Sequence, residues 1–160
     1  MSSAPPPAPP VPQTYKIVVG VDYSAQSERA LRAALDLALY RDTQIYCLAI
    51  AEGYGPGRPT TESAEMRENF HDEAQRTLER FITKEIDLFE QSGVKLNRKR
   101  VAAAIDFGKP VDGVLALAED VHADLIVIGT HGKTGLERLL VGSVAQEVLK
   151  RAHCPVLVTR

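Results

Sequence analysis

Short apolar runs alternate along this chain with longer stretches whose apolar residues recur every three or four positions. The run Tyr15–Val21 (YKIVVGV) is rich in β-branched residues and is typical of a buried strand. In the segment 22–40, Ala30, Leu31, Ala34 and Leu35 recur at the spacing of one helix face. Ser24 stands before this periodic stretch and is the predicted N-cap of the helix.

The same alternation continues to the end of the chain. Gly93 is the predicted left-handed residue after the long second helix, and Ser143 with Gln146 three residues later predicts an N-cap with a capping box. The remaining predicted strands are Thr43–Ala51, Lys95–Ile105, Ala123–Thr130 and Cys154–Arg160, and the remaining helices are Glu65–Gln91, a helix within 106–122 that opens at Pro110, and one within 142–153.

Strands that alternate with helices predict an α/β fold with a parallel sheet covered by helices on both faces. Right-handed crossovers restrict it to a doubly wound, five-stranded arrangement. Ligands in such sheets bind outside the carboxyl ends of the strands, where the strand order reverses. If the order is 3-2-1-4-5, that point lies between the first and fourth strands.

The 160 residues fit one domain, predicted at 14–160, preceded by a disordered tail at 1–13. The first twelve residues hold six of the ten prolines and cannot bury apolar surface. A docking site for proline-binding modules is the alternative interpretation of this segment. We expect no signal peptide and no membrane span, since no apolar run follows Met1 and none reaches about 18 residues.

The formal net charge of -2 provides no bulk attraction to nucleic acid or to an anionic membrane, and neither is an expected partner. One basic run, Lys95–Arg100, is interpreted as protecting a sheet edge from aggregation. Cys47 and Cys154 have neither disulfide nor metal-site spacing, and Cys47 is a predicted core residue. This cysteine usage fits a reducing cytosol, so a cytoplasmic location is expected.

The segment Ile128–Gly135 (IGTHGKTG) contains the Gly-Lys-Thr that closes a phosphate-binding P-loop. The full pattern needs a glycine five positions before Gly132, but that position holds Val127. The loop is therefore too short to wrap a phosphate in the P-loop manner.

The glycines at the end of the fourth strand still predict an anion site. Two residues separate Gly129 from Gly132, and nine more precede Gly142, which with Ser143 opens the last helix. Backbone N–H groups at a helix amino end, with no Cβ nearby, favour phosphate. The alternative is that these glycines only form tight turns. The residues that could cradle a polyphosphate are Gly129, Gly132, Gly142, Ser143 and Val144.

Asp22 directly follows the first strand and would face the same crevice as Gly129. Its carboxylate can accept a hydrogen bond from a ribose hydroxyl or an adenine amine. A helix-start aspartate favoured by the helix dipole is the alternative. Two unusual features that converge on one crevice indicate a binding site.

The stretches VGVDYS and DLIVIGTHGKTGLERLLVGSVAQEVLKRAHCPVLVTR resemble the universal stress protein family over essentially 14–160. Gly129, Gly132, Gly142 and Ser143 match the signature of its ATP-binding branch. The resemblance implies a 3-2-1-4-5 sheet of the adenine-nucleotide alpha-hydrolase-like type. The proline-rich tail and the loop 53–62 depart from the family pattern, so no role is carried onto them.

The resemblance also implies roles for single residues. Asp22 matches the aspartate that contacts adenine and ribose, and Ile50 matches the position whose backbone reads the adenine edge. Ile128 would line the base pocket, and His131 and Lys133 belong to the phosphate loop. ATP would be accompanied by Mg²⁺ or Mn²⁺ on its phosphates, and the last strand would form a homodimer.

Nucleotide binding does not by itself imply catalysis. A nucleotide-binding stress-response sensor is the favoured hypothesis, because no evident general base is poised on a water. A slow ATPase or an autophosphorylating protein, with Ser143 or Thr134 receiving phosphate, is the alternative. A phosphoacceptor receiver domain could use Asp106 after the third strand, but Asp22 lacks an adjacent acidic partner and the glycines would have no role.

Overall fold

The computed structural model describes residues 13–51, 64–130 and 141–160, and of 64–67 the backbone only. The tail at 1–12, the loop 52–63 and the predicted site residues His131, Gly132 and Lys133 lie outside the described residues. The strands are β1 (Tyr15–Val21), β2 (Thr43–Ala51), β3 (Val101–Phe107), β4 (Leu125–Gly129) and β5 (Val156–Thr159), and the helices are α1 (Ala25–Ala38), α2 (Ala64–Glu90), α3 (Pro110–Asp120) and α4 (Ser143–Arg151).

Within the described residues the five strands form one parallel sheet in the order β3-β2-β1-β4-β5. The predicted doubly wound topology is therefore confirmed. In the centre of the sheet Val19 pairs with Cys47 of β2 on one side and with Val127 of β4 on the other. This places the carboxyl ends of all five strands along one edge.

Helices cover both faces of the sheet, as predicted. Leu31 of α1 and Leu78 of α2 belong to a buried cluster on one face, and Val114 of α3 and Val148 of α4 belong to a second cluster on the other. The alternation of side chains along each strand divides its apolar residues between the two clusters. Cys47 is fully buried in the first cluster, and burial raises its pKa to about 12.

Local chemistry sets the helix ends. The Ser24 side chain accepts a hydrogen bond from the Ser27 N–H at 3.3 Å, so the predicted N-cap of α1 is confirmed. Pro110 is in the first turn of α3. Gly93 has a φ of 90°, which is the left-handed conformation predicted after α2.

The predicted boundaries of β3 were wrong. The strand begins at Val101 rather than Lys95 and ends at Phe107, and Arg98–Arg100 form a turn of 3-10 helix. The Leu96 N–H donates to the Glu90 carboxylate, and Arg98 forms ion pairs with Asp87 and Glu90. These side chains at the end of α2 hold the basic run outside the strand ladder, so it does not extend along the sheet edge.

Candidate functional site

The central strands β1 and β4 stop pairing before they end. Their ladder runs from Ile17–Leu125 to Val19–Val127, whereas β1 stays paired with β2 as far as Val21 and β4 with β5 as far as Gly129. After β1 the chain enters α1 on one face, and α4 after β4 lies on the other. A crevice therefore opens between these two strand ends, at the point where the strand order reverses.

Asp22 lies at the β1 side of this crevice and is held by a local turn. Its Oδ1 accepts hydrogen bonds from the Ser24 N–H at 3.0 Å and from the Ser24 Oγ at 2.5 Å. Asp22 is only partly buried, and among the described residues no cation lies within ion-pair distance of it. Its second carboxylate oxygen is therefore the atom that can face a ligand.

Tyr23 adopts a backbone conformation that non-glycine residues rarely take. Its φ is 65°, and its ring packs edge-on against Phe81 of α2 with 5.5 Å between centroids. Burial raises the pKa of its phenol. This left-handed residue allows the chain to turn so that Asp22 meets the Ser24 N–H. Strained positions of this kind cluster at ligand sites.

Ile50, assigned to the adenine edge, and Ile128, assigned to the base pocket, each pack beside a glycine. A Cβ on Gly20 would lie 3.0 Å from Cγ2 of Ile128, and a Cβ on Gly113 would lie 2.6 Å from Cδ1 of Ile50. Ile128 is buried and Ile50 is partly buried. Both side chains point to the face covered by α3 and α4, where they contribute to the second cluster.

Gly129 lies at the end of β4 against the first turn of α1. A Cβ on Gly129 would lie 2.6 Å from Cβ and 3.1 Å from the backbone carbonyl carbon of Gln26. The absence of a side chain at this position therefore has a packing reason that does not require a ligand.

Gly142, not Ser143, is the N-cap of α4, so this prediction was wrong. The predicted capping box is also absent, because Nε2 of Gln146 donates to the Val141 carbonyl at 2.6 Å instead of reaching back to the cap. The Gly142 N–H donates to the Thr130 carbonyl at 2.6 Å. Ser143 thus occupies the first helical position, and no side chain caps this amino end within the described part of the chain.

The described candidate residues are brought to one edge of the sheet. Asp22 follows β1, Ile50 lies near the end of β2, and Ile128 and Gly129 end β4. Gly142, Ser143 and Val144 open α4, and the Gly142–Thr130 hydrogen bond joins this helix to the end of β4. His131, Gly132 and Lys133 remain predictions from the sequence.

Sequence reasoning missed four residues that shape this edge of the sheet. Gly20 interrupts an otherwise apolar strand, which is a signal of close approach that could have been used. Gly113 lies inside α3 and could have been noted in the same way. The left-handed Tyr23 and the buried Thr130 carry no comparable signal in the sequence.

In the described ranges, no three His, Cys, Asp or Glu side chains are grouped as a metal site would require. No helix there is long and apolar enough to cross a membrane.

The architecture is that of a doubly wound α/β domain with a polar crevice at its switch point. Comparison with known proteins gives the family: the profile of the universal stress protein family matches residues 14–160. The chain belongs to this family. It is 38% identical to the universal stress protein MJ0531 of Methanocaldococcus jannaschii over 148 residues, which cover 91% of this chain and 81% of that protein.

Solved structures agree with the family assignment. The universal stress protein UspA from Lactobacillus plantarum has the same fold, with a TM-score of 0.67 and 22% identity over 92% of this chain and 99% of that one. A universal stress protein from Archaeoglobus fulgidus, solved in complex with dAMP, has a TM-score of 0.55 and 25% identity over 94% of this chain and all (100%) of that one. An adenine nucleotide is therefore bound by a structural neighbour of the chain.

Proposed function

We propose that this chain binds ATP in the crevice between β1 and β4 and acts as a nucleotide-dependent regulator in the stress response. The observation that carries the proposal is that a hydrogen-bond acceptor and a helix amino end lie on opposite sides of the crevice. Asp22 presents an acceptor at the end of β1, and on the other side α4 presents an amino end that no described side chain caps.

The donor set fits an adenine nucleotide. A carboxylate accepts from ribose hydroxyls or from the adenine amine. The amino end of α4 carries partial positive charge and backbone N–H donors, which favour phosphate. Since Gly142 donates its N–H to Thr130, the donors that we assign to phosphate are those of Ser143 and Val144. Gly132, His131 and Lys133 complete the assigned phosphate loop.

A divalent cation in this proposal is held through the phosphates. Mg²⁺ binds proteins with few direct ligands and keeps phosphate oxygens and water in its coordination sphere. The described residues offer no grouped protein ligands, which suits this mode of binding. Mg²⁺ or Mn²⁺ would thus enter and leave with the nucleotide.

The test combines two measurements. Small molecules released by denaturing the purified protein are identified by mass spectrometry, and stripped protein is titrated with Mg-ATP in a calorimeter. Co-purifying ATP, or binding at micromolar affinity, supports the proposal. Absence of both a released nucleotide and a heat of binding would overturn it.

Slow phosphoryl transfer is a second candidate, favoured by the position of Ser143. Its side chain is exposed and does not cap α4, and within the described residues no hydrogen bond to its Oγ is found, so this oxygen is the proposed acceptor of the γ-phosphoryl group. In that step an O–P bond forms at Ser143, the bond to ADP breaks, and the hydroxyl proton passes to solvent. Phosphate release proportional to enzyme, or label on Ser143, abolished by Gly142→Val, would support it.

The proposal includes a cytoplasmic homodimer that forms through β5. The residues Val156, Leu157 and Val158 are exposed or only partly buried, and β5 is the last strand in the described sheet order. An apolar edge strand is a template for pairing with a second copy. The two free thiols fit a reducing compartment.

A further inference from the structure

Asp106 lies in one row with Asp22 and Ile50 at the carboxyl edge of the sheet. Ile50 of β2 is the register partner of Asp106 of β3, and Val21 of β1 is the partner of Ala49. Asp22 directly follows Val21 and is therefore level with Ile50. Adjacent strands are about 4.8 Å apart, so the row spans about 10 Å across three strands. This span is comparable to that of an adenosine from its ribose hydroxyls to its exocyclic amine.

The side chains of Ile50 and Asp106 converge on the same glycine. A Cβ placed on Gly113 would lie 2.6 Å from Cδ1 of Ile50 and 3.2 Å from Oδ2 of Asp106. Both side chains therefore lie on the α3 face of the sheet, and the missing side chain of Gly113 leaves room for them. Asp106 is a neighbour of the position assigned to the adenine edge.

One oxygen of Asp106 is available to a ligand. Its Oδ1 accepts from the Phe107 N–H at 2.7 Å, which fixes the carboxylate. Its side chain is exposed, and among the described residues Oδ2 has neither a hydrogen-bond donor nor a cation within ion-pair distance. An ionised carboxylate accepts hydrogen bonds and donates none.

We propose that Asp106 makes the site selective for adenine over 6-oxopurines by accepting a hydrogen bond from the exocyclic amine. Guanine and hypoxanthine carry an acceptor oxygen at that position, so two acceptors would face each other and the hydrogen bond to Asp106 would be lost. This inference rests on the proposed nucleotide function and adds a base-recognition residue to it. The amino end of α4, on the other side of the crevice, fixes the opposite end of the ligand.

The experiment titrates Mg-ATP and Mg-ITP into the full chain and into Asp106→Asn. The two ligands differ at purine position 6, where the amine of ATP is replaced by an oxygen, and at N1, which carries a hydrogen in ITP. The contribution of Asp106 is therefore measured as the change in the ATP-to-ITP affinity ratio between wild type and variant. We expect wild type to prefer ATP by roughly ten- to a hundredfold, the scale of one hydrogen bond to a charged group. Asparagine can donate as well as accept, so Asp106→Asn is expected to bring the two affinities within roughly threefold of each other.

Two further variants control for folding and for charge. Asp106→Ser retains a side-chain oxygen that can accept from the Phe107 N–H, and it should lose the preference in the same way. Asp112→Asn makes the same change on the first turn of α3, where Asp112 pairs with Arg151 at 3.0 Å, and should retain the preference.

The outcomes separate the two proposals. If wild type binds ATP and the two Asp106 variants keep its ATP-to-ITP ratio, base recognition by Asp106 is refuted while the nucleotide function stands. If wild type binds ATP and ITP equally, the selectivity itself is refuted. If wild type binds neither nucleotide, the proposed function fails and the inference fails with it.

Discussion

Gly129 and Gln26 approach so closely that no other residue fits at the end of β4 without a shift of α1. The nearest atoms to a Cβ at position 129 would be Cβ, the carbonyl carbon and Cα of Gln26, and two of these three belong to the backbone. A glycine that we assign to the proposed phosphate site therefore also sets the distance between the central sheet and the helix that follows Asp22. The observed packing and the proposed phosphate binding both require a glycine at position 129.

Gly129→Ala is expected to destabilise the protein by about 1–3 kcal/mol, the usual cost of overpacking. Gly113→Ala is the matched control. Its Cβ would also meet an atom at 2.6 Å, but that atom is the flexible end of Ile50, and alanine in a helix interior gains about 0.5–1 kcal/mol over glycine. Urea unfolding measures both free energies. A loss for Gly129→Ala no larger than that for Gly113→Ala would contradict the backbone-contact argument.

Asp22→Ala should weaken Mg-ATP binding by about 1–3 kcal/mol, the scale of leaving a buried donor unpaired. The substitution also removes the acceptor of the Ser24 N–H, so the turn needs its own control. Ser24→Ala keeps the carboxylate and removes the N-cap, which costs about 1 kcal/mol of stability.

Calorimetric titration of Mg-ATP gives the affinities of both variants, and urea unfolding gives their stabilities. Asp22→Ala should lose affinity, whereas Ser24→Ala should lose stability and retain affinity under folding conditions. Unchanged affinity in Asp22→Ala would refute the role assigned to Asp22.

The sheet order and the layers were predictable because strand and helix periodicities in this chain are strong. The apolar run of β4 is typical of a buried strand, and the spacing in α1 is typical of a helix. Right-handed crossovers then leave few possible topologies for the sheet. Asp22 and Gly129 could be placed at one edge for the same reason. These inferences depend on local pattern and general topology.

What could not be predicted depends on contacts between distant residues. The sequence pattern placed Arg98 in a strand, because it does not show that Asp87 and Glu90 of α2 lie beside this residue. The N-cap of α4 is Gly142 rather than Ser143, and the Gly142 N–H donates to the carbonyl of Thr130, which directly follows β4 and lies far from Gly142 along the chain. Asp106 joins the row with Asp22 only through the register of β1, β2 and β3.

Glu90 should contribute to stability above pH 4 and lose that contribution in acid. Hydrogen bonds from Arg98 and from the Leu96 N–H hold the pKa of Glu90 below its ordinary value. Because the folded pKa lies below the unfolded value of about 4.3, the stabilisation is complete above that value and is lost as pH falls through the folded pKa. Glu90→Gln should therefore be less stable than wild type at neutral pH.

The difference between Glu90→Gln and wild type should shrink as pH falls below about 4. Urea unfolding at neutral pH and at successively lower pH measures this difference in the free energy of unfolding. Glu119→Gln, at an exposed position on α3, is the control and should track wild type throughout. If the loss of stability in Glu90→Gln stays constant as the pH falls, the carboxylate charge is not the source of that loss.

Leu157→Lys should shift a β5-mediated dimer toward monomer. Leu157 is 39% exposed on the edge strand, and a charge there opposes strand pairing. Leu88→Lys is matched in exposure, at 40%, but lies on α2 near the opposite edge of the sheet. Sedimentation velocity over a range of concentrations reports the mass of each. Equal association of the two variants would place the dimer contact elsewhere.

Because Cys47 is buried, the rate at which a thiol reagent modifies it can report the opening of the core. It lies in β2 between Val19 and Ala103, without exposure to solvent, and its pKa of about 12 leaves almost no thiolate at neutral pH. Its side chain belongs to the buried cluster beneath α1 and α2, so a thiol reagent can modify it only when these helices leave this face of the sheet, and its labelling rate reports the opening of the core. Cys154, partly exposed just before β5, reports the local motion of that strand. The two natural cysteines thus separate fraying of the edge strand from loss of the core without any engineered probe.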